Sequence, residues 1–308
     1  MTGLAVLCPG QGDQHASMFA LSLTREAGRA VLERAREALG EDPLALLGRG
    51  GQGLYQNRVA QPLVCSAELA SWATLEDSLP RPSLFLGYSL GELVAYGCAG
   101  ALAPGEAIRL AAARAEAMEA ASATRGGLLA LRGLPLARAE SLAARLGAEV
   151  AIANGPEHCV VGGSEEALAA LERLAPAEGA RTVVRLPIGV PAHTRLLAAA
   201  VGPFAAALRR SGLEDPRVPV LAGVSAEPVR RREEAVDTLS RQLAERIEWA
   251  RCLAAAAEMG CKAFLELGPG TALARMAREI LPGSEARSLD EFRSREGVLR
   301  WAESALRR

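Results

Sequence analysis

The sequence predicts an α/β protein in which a larger α/β unit is interrupted by a small βαββαβ module. Three observations carry that expectation. Residues 83–86 (SLFL) have the length of a buried strand, residues 87–91 (GYSLG) form a tight turn, and residues 92–96 (ELVAY) open a helical pattern, so a strand feeds a helix through a G-x-S-x-G turn. Residues 4–7 and 263–267 are further apolar runs, each ending in a Gly/Pro turn, PGQG at 9–12 and GPG at 268–270. Between them, strand and helix patterns alternate as βαββαβ over residues 128–186, the split βαβ order of ferredoxin-like modules. The module occupies 125–189, which leaves a discontinuous large unit of residues 1–124 and 190–308.

Taken in order, residues 4–7 are the first strand and 9–14 the loop closing over its end. Gly10 and Gly12 flank Gln11 there, which suits either an ordinary turn or a backbone that approaches a ligand closely. Residues 27–39 carry Val31, Leu32, Ala35 and Leu39 at helical spacing, 43–55 read as Gly-rich loop, and a helix starts at Gln61–Pro62. After the turn at 87–91, residues 104–122 form a helix with Pro104 in its first turn. In the module, 128–131 is a strand, 136–146 a helix, 149–153 and 159–162 two strands joined through Asn154-Gly155-Pro156, 165–174 a helix and 181–186 a strand. Residues 196–208 are helical, 218–223 a strand, 238–257 largely helical, 263–267 the last clear strand and 271–280 a helix. The Arg/Glu-rich remainder reads as a surface helix or tail, and Arg230–Arg232 with Glu233–Glu234 as a solvated, locally neutralised face.

Composition excludes several classes. Half of the 308 residues are hydrophobic and the net charge is −1, which fits neither a disordered chain nor a nucleic-acid binder. No apolar run is long enough to span a bilayer, and the N-terminal stretch reads as strand and loop instead of a signal peptide. The six cysteines lack any C-x-x-C pair, the pattern of buried thiols in a reducing compartment. A cytoplasmic protein without membrane or metal is the expectation.

The chemistry-bearing residues are few. Ser89 at the apex of the turn is a candidate nucleophile whose helix N-terminus favours developing negative charge. A serine hydroxyl needs a base at neutral pH. Of the three histidines, His15, His158 and His193, the last, at the module's exit, is the candidate. No Asp lies between Ser89 and His193, so a backbone carbonyl is the expected holder of the imidazole tautomer. Arg114 borders the apolar stripe of its helix, flanked by Leu110 and Met118. Either it pairs structurally with Glu92 or Glu119, or it holds a substrate carboxylate in a two-pronged fork.

With PGQG at 9–12, GYSLGE at 87–92, Arg114 with Met118, VPAH at 190–193 and LELGPG at 265–270, the chain resembles the malonyl-CoA:acyl carrier protein transacylases. The resemblance spans nearly the whole sequence. Within it, GYSLGELVAYGCAG and the LELGPG stretch are most similar to the acyltransferase (epsilon) subunit of malonate decarboxylase, which loads malonyl onto its own carrier subunit; the fatty-acid or polyketide transacylase is the sister reading. The resemblance implies an α/β-hydrolase-like large subdomain with a ferredoxin-like insertion. It also implies Ser89 as acylated nucleophile, His193 as base, and the backbone N–H groups of Gln11 and Leu90 as oxyanion hole. Arg114 then clamps the malonyl carboxylate, the Gln242 carbonyl orients His193, and Gln61 lies near the acyl pocket. Tyr88 stands where that family usually has His and so bears on the pocket wall. The implied substrates are malonyl-CoA and a phosphopantetheine-type carrier thiol, with no resident cofactor. A thioester hydrolase on the same scaffold and a non-catalytic carrier-docking subunit are the readings of other classes.

Overall fold

The computed structural model describes residues 3–122 and 125–307; the first two residues of the N-terminal stretch, the domain boundary drawn at 124 and the last residue lie outside them. Strands β1 (Gly3–Cys8), β2 (Leu84–Gly87), β7 (Val220–Leu221), β8 (Pro228–Val229), β9 (Cys261–Glu266) and β10 (Glu285–Ser288) build one sheet in the order β10-β9-β1-β2-β7-β8. All pairings are parallel except β7 with β8. Parallel strands buried on both faces read as unbroken apolar runs, and β1 and β2 are buried almost throughout. The register pairs Cys8 with Gly87 and Leu7 with both Leu86 and Glu266, so three strands end together and their following loops gather at one edge. Ligand sites of open parallel sheets lie at that edge.

Strands β3 (Gly126–Arg132), β4 (Glu149–Gly155), β5 (His158–Ser164) and β6 (Thr182–Arg185) form a separate antiparallel sheet, order β4-β5-β3-β6. Alternation along β3 sends Leu129 and Leu131 into a small core under helices α6 (Leu136–Arg145) and α7 (Glu165–Leu174), while Leu128 joins the main core. Ile247 locks this sheet to the larger part, its amide donating to the Ala151 carbonyl (2.9 Å) and its carbonyl accepting from the Ala153 amide (2.8 Å).

The helices of the larger part differ from expectation in four places. Helix α1 (Glu26–Leu39) is followed by α2 (Pro43–Arg49) and a 3-10 turn at Gln52–Tyr55, where the glycines suggested loop; Asp42 caps α2 by accepting from the Leu44 amide at 2.9 Å. Helix α3 runs Asn57–Leu75, not from Gln61, and carries Pro62 inside it. A proline so near the N-terminus forfeits one ladder bond, to the Arg58 carbonyl, and the near-complete burial of α3 outweighs it. Helices α4 (Leu90–Cys98), α5 (Pro104–Ala121) and α8 (Ala198–Arg210) follow expectation closely. The long helix at 238–257 is instead α9 (Arg232–Arg241) and α10 (Trp249–Glu258), broken at 242–248, because that stretch bonds to the small sheet through Ile247 and to Gly223 through the Glu248 amide. After α11 (Ala272–Ile280), the chain adds strand β10 before α12 (Arg295–Arg307), whose Val298, Ala302 and Ala305 are buried, so this end is an integral layer and not a tail. The Arg230–Arg232 stretch is more structural than expected: Arg232 donates to the Leu213 and Arg209 carbonyls.

Candidate active site

Ser89 sits between β2 and α4 with φ 56° and ψ −113°, a conformation rare for a residue with a side chain and one that stores strain. The flanking glycines make it possible. A Cβ on Gly87 would lie 2.0 Å from the Glu92 amide nitrogen, and one on Gly91 1.9 Å from the Cys8 carbonyl oxygen. The turn thus raises the Ser89 hydroxyl off the sheet edge, next to Leu90, whose amide is the first of α4 and has no intrahelical acceptor.

The hydroxyl meets His193. Ser89 Oγ lies 2.8 Å from His193 Nε2, and His193 Nδ1 donates to the Gln242 carbonyl at 2.6 Å. That second bond fixes the tautomer and leaves the Nε2 lone pair toward the serine. The carbonyl is available because α9 stops at Arg241. The same segment holds the histidine backbone, whose amide donates to the Leu243 carbonyl at 2.9 Å while His193 takes φ 62°. Burial, reinforced by the nearby Arg114 charge, pulls the imidazole down to about 3, so it is neutral at physiological pH.

Arg114 is 1% exposed. It donates through Nη1 to Gln61 Oε1 (3.0 Å) and through Nη2 to Gln242 Oε1 (2.9 Å) and Ser89 Oγ (3.3 Å), with Met118 Sδ at 3.3 Å from Nη1. Burial pulls the guanidinium down to about 10, which leaves it a cation. Of the two carboxylates spaced to pair with it, Glu119 instead pairs with Arg58, and Glu92 is reached through Gln242. The helix α3 that starts early supplies Gln61 and also Asn57, which accepts from Gln11 Nε2 at 2.7 Å and so anchors the loop at 9–14. Gly10 lets that loop approach the turn, since a Cβ there would lie 3.0 Å from the Tyr88 carbonyl. Tyr88 stacks edge-on against Trp249, ring centroids 5.3 Å apart.

These groups share one cavity between the two sheets. Gln11, Gln61, Tyr88, Ser89, Arg114 and His193 line it from the larger part, and Leu128, Ile152, Leu186 and Ile188 wall it from the smaller. Of the catalytic, oxyanion-hole and acyl-pocket candidates read from the sequence, Gln11, Gln61, Tyr88, Ser89, Arg114 and His193 line this cavity, while Leu90 and Gln242 adjoin it through Ser89 and Arg114. The other histidines lie elsewhere: His15 contacts Asp290 (2.9 Å), and His158 faces Asn154 (3.4 Å) in a neighbouring groove. The six cysteines are free and buried. Sequence reasoning missed Asn57, which nothing in the sequence marks, and the part played by Glu92, whose place in GYSLGE was a signal. Among the described residues no His, Cys, Asp and Glu side chains group as a metal site, and no helix is long and apolar enough to cross a membrane.

A neutral imidazole on a strained serine, with a helix N-terminus and a buried cation beside the same hydroxyl, is an arrangement that can carry acyl transfer, and the comparisons with known proteins give the class as acyltransferase. The chain belongs to the family described as the acyl transferase domain, whose sequence model matches residues 6–292. It is 31% identical to the malonyl CoA-acyl carrier protein transacylase of Salmonella typhimurium, over 94% of this chain and 97% of that protein. Among solved structures it superposes on the malonyl CoA-acyl carrier protein transacylase of Coxiella burnetii with a TM-score of 0.92 at 30% identity, covering 99% of this chain and 98% of that one. It is also similar to a malonyl-transacylase solved in complex with a type II polyketide acyl-carrier protein, TM-score 0.90 and 26% identity, with 99% of each chain covered.

Proposed function

We propose that the protein is a malonyl-CoA:acyl carrier protein S-malonyltransferase working through a malonyl-Ser89 intermediate. The single observation behind this reading is the Ser89–His193 contact of 2.8 Å in a cavity where the Arg114 guanidinium also reaches the same hydroxyl, at 3.3 Å. His193 Nε2 takes the hydroxyl proton as Ser89 Oγ bonds to the thioester carbon. The carbonyl electrons move onto oxygen, held by the amides of Gln11 and Leu90; one such donor is worth ~3 kcal/mol. Collapse breaks the C–S bond, His193 returns its proton to the CoA sulfur, and malonyl-Ser89 remains. The carrier thiol then gives its proton to His193, attacks the ester and leaves with the malonyl group, while Ser89 recovers its proton. Arg114 holds the free carboxylate through both halves, Gln242 keeps the imidazole oriented, and Gln61 and Tyr88 shape the acyl pocket.

The relatives' names, which give an acyl carrier protein and in one case a type II polyketide carrier, favour a fatty-acid- or polyketide-type acyl carrier protein as the acceptor. The malonate decarboxylase carrier subunit, suggested by the stretch at 87–100, is the second arm of the test. The reading includes an α/β-hydrolase-like subdomain, residues 1–124 and 190–308, with a ferredoxin-like subdomain inserted at 125–189. Incubation with malonyl-CoA is expected to add one malonyl mass to the peptide holding Ser89, discharged by a carrier of one kind and not the other. Label that survives Ser89→Ala, or fast malonyl-CoA hydrolysis without any thiol acceptor, overturns the reading.

A further inference from the structure

Arg114 is a buried cation whose hydrogen bonds among the described residues all go to neutral groups. A buried charge needs an opposite one nearby. The anion is one amide away. Gln242 turns its Oε1 to Arg114 Nη2 (2.9 Å) and its Nε2 to Glu92 Oε2 (2.7 Å), and the same Nε2 donates to the Ser89 carbonyl (3.1 Å). The amide dipole is thus oriented with its negative end on the cation and its positive end on the carboxyl. Glu92 is fully buried; its Oε2 also accepts from the Gly223 amide (2.9 Å), and its Oε1 has no partner among the described residues. Tyr96 on its own helix, Cys252 on α10 and Arg114 on α5 are the ionisable groups facing it. We propose that Glu92 is a positioning residue: through Gln242 it balances Arg114 until a substrate carboxylate arrives, and then takes up a proton from solvent on Oε1.

The inference rests on the transferase reading above. A carboxylate placed on Arg114 satisfies the cation, so less attraction remains to keep Glu92 ionised. Burial already lifts its carboxyl to about 7, against the pull of the Gly223 and Gln242 bonds and of Arg114, so the exchange falls in the neutral range. Neutralising Glu92 also removes a negative charge from the first turn of α4, where the reaction's oxyanion forms.

The test is calorimetric titration of the Ser89→Ala protein, which cannot be acylated, with malonyl-CoA and with acetyl-CoA in two pH 7 buffers of different ionisation heat. Malonyl-CoA is expected to take up a sizeable fraction of a proton more than acetyl-CoA, and that excess should vanish at pH 5.5, where Glu92 is already protonated. Glu92→Gln keeps an acceptor for both bonds but removes the charge. It should abolish the excess and, with Ser89 intact, lower the malonyl-CoA KM roughly fivefold. Glu92→Leu removes the acceptor too, and should raise KM and lower kcat, with Gln restoring kcat. Equal proton uptake for the two thioesters, or an excess unchanged by Glu92→Gln, overturns the inference. Failure to label Ser89 overturns the transferase reading instead and leaves the proton count to stand by itself.

Discussion

Two buried carboxyls on neighbouring helices meet opposite fates. Glu92, in α4, is held by two N–H donors and stands one amide from a guanidinium. Glu68, in α3, is equally inaccessible, yet among the described residues no N–H group donates to it, and its neighbours are the thiols of Cys8, Cys65 and Cys98 and the carboxyl of Glu266. Burial pushes both acids up, Glu92 only to about 7 and Glu68 well above its ordinary value. Donors and a cation make the difference. The Glu92 region is a connected circuit in which Ser89, His193, Arg114 and Gln242 satisfy one another, whereas the Glu68 region is packing that happens to contain an acid. A half-satisfied buried network costs more than an apolar core; of the circuit's side chains only Glu92 keeps an unpartnered oxygen among the described residues, the one on which the proposed proton would sit.

His193→Ala removes the imidazole that touches Ser89, the proposed base, and acylation by malonyl-CoA measured in a single turnover is expected to fall by roughly 10⁴-fold or more. Malonyl-CoA should still bind, because Arg114 is untouched. A variant that acylates within tenfold of the parent would show that the circuit is not the machinery.

A smaller effect is expected from Arg114→Met, which leaves the serine–histidine pair in place. If Arg114 holds the substrate carboxylate as proposed, two charge-assisted hydrogen bonds are lost, so preference for malonyl-CoA over acetyl-CoA should drop by roughly 10²-fold. The pH profile carries a second readout. His193 is held low first by burial and then by the Arg114 charge. A base with a depressed pKa stays neutral, and therefore active, as the solution is acidified. Removing the cation raises that pKa, so the acid limb of acetyl-CoA acylation should move to higher pH in the variant. An unmoved limb would separate His193 from Arg114.

How much of this circuit was legible beforehand follows from what each residue signals locally. The turn at 87–91 is written in the sequence because its glycines have no substitute: backbone lies within about 2 Å of where their Cβ atoms would be. Arg114 stood out as a charge beside an apolar stripe, and His193 by elimination among three histidines. The strands of both sheets were readable from short apolar runs, except β8 and β10, which are short and at the edges of the large sheet. The break between α9 and α10 was not. Residues 238–257 have helical composition, and the contact that interrupts them comes from Ala151 and Ala153, about ninety residues away in the chain. Yet that break frees the Gln242 carbonyl for His193. Asn57 was invisible for the same reason: its value lies in reaching Gln11, 46 residues distant. Long-range pairing decided both, and local pattern does not report it.

The smallest effect sharpens the other side of the comparison. If Glu68 is only packing, Glu68→Met should leave acylation rate and malonyl preference unchanged and should stabilise the protein in alkaline solution. The native state keeps a proton on Glu68 that the unfolded chain releases above its ordinary carboxylate value. The stability this group permits is therefore full below pH 4.5 and declines as pH rises toward its folded value. Glu266, lifted to about 8 by burial, and Glu92 act in the same direction and remain in the variant. His193 and His158, pulled by burial to about 3 and about 4, act the other way as pH rises to about 6.5, so the melting temperature of the parent should fall between about pH 6.5 and pH 8, and that of Glu68→Met should fall less, ending higher at pH 8 by a few degrees, on the order of 1–2 kcal/mol. Methionine fills similar volume without an orphaned oxygen, so the gain tests the missing partners and not the space. A melting temperature lowered at pH 8, or a lost malonyl preference, would place Glu68 in the working circuit beside Glu92.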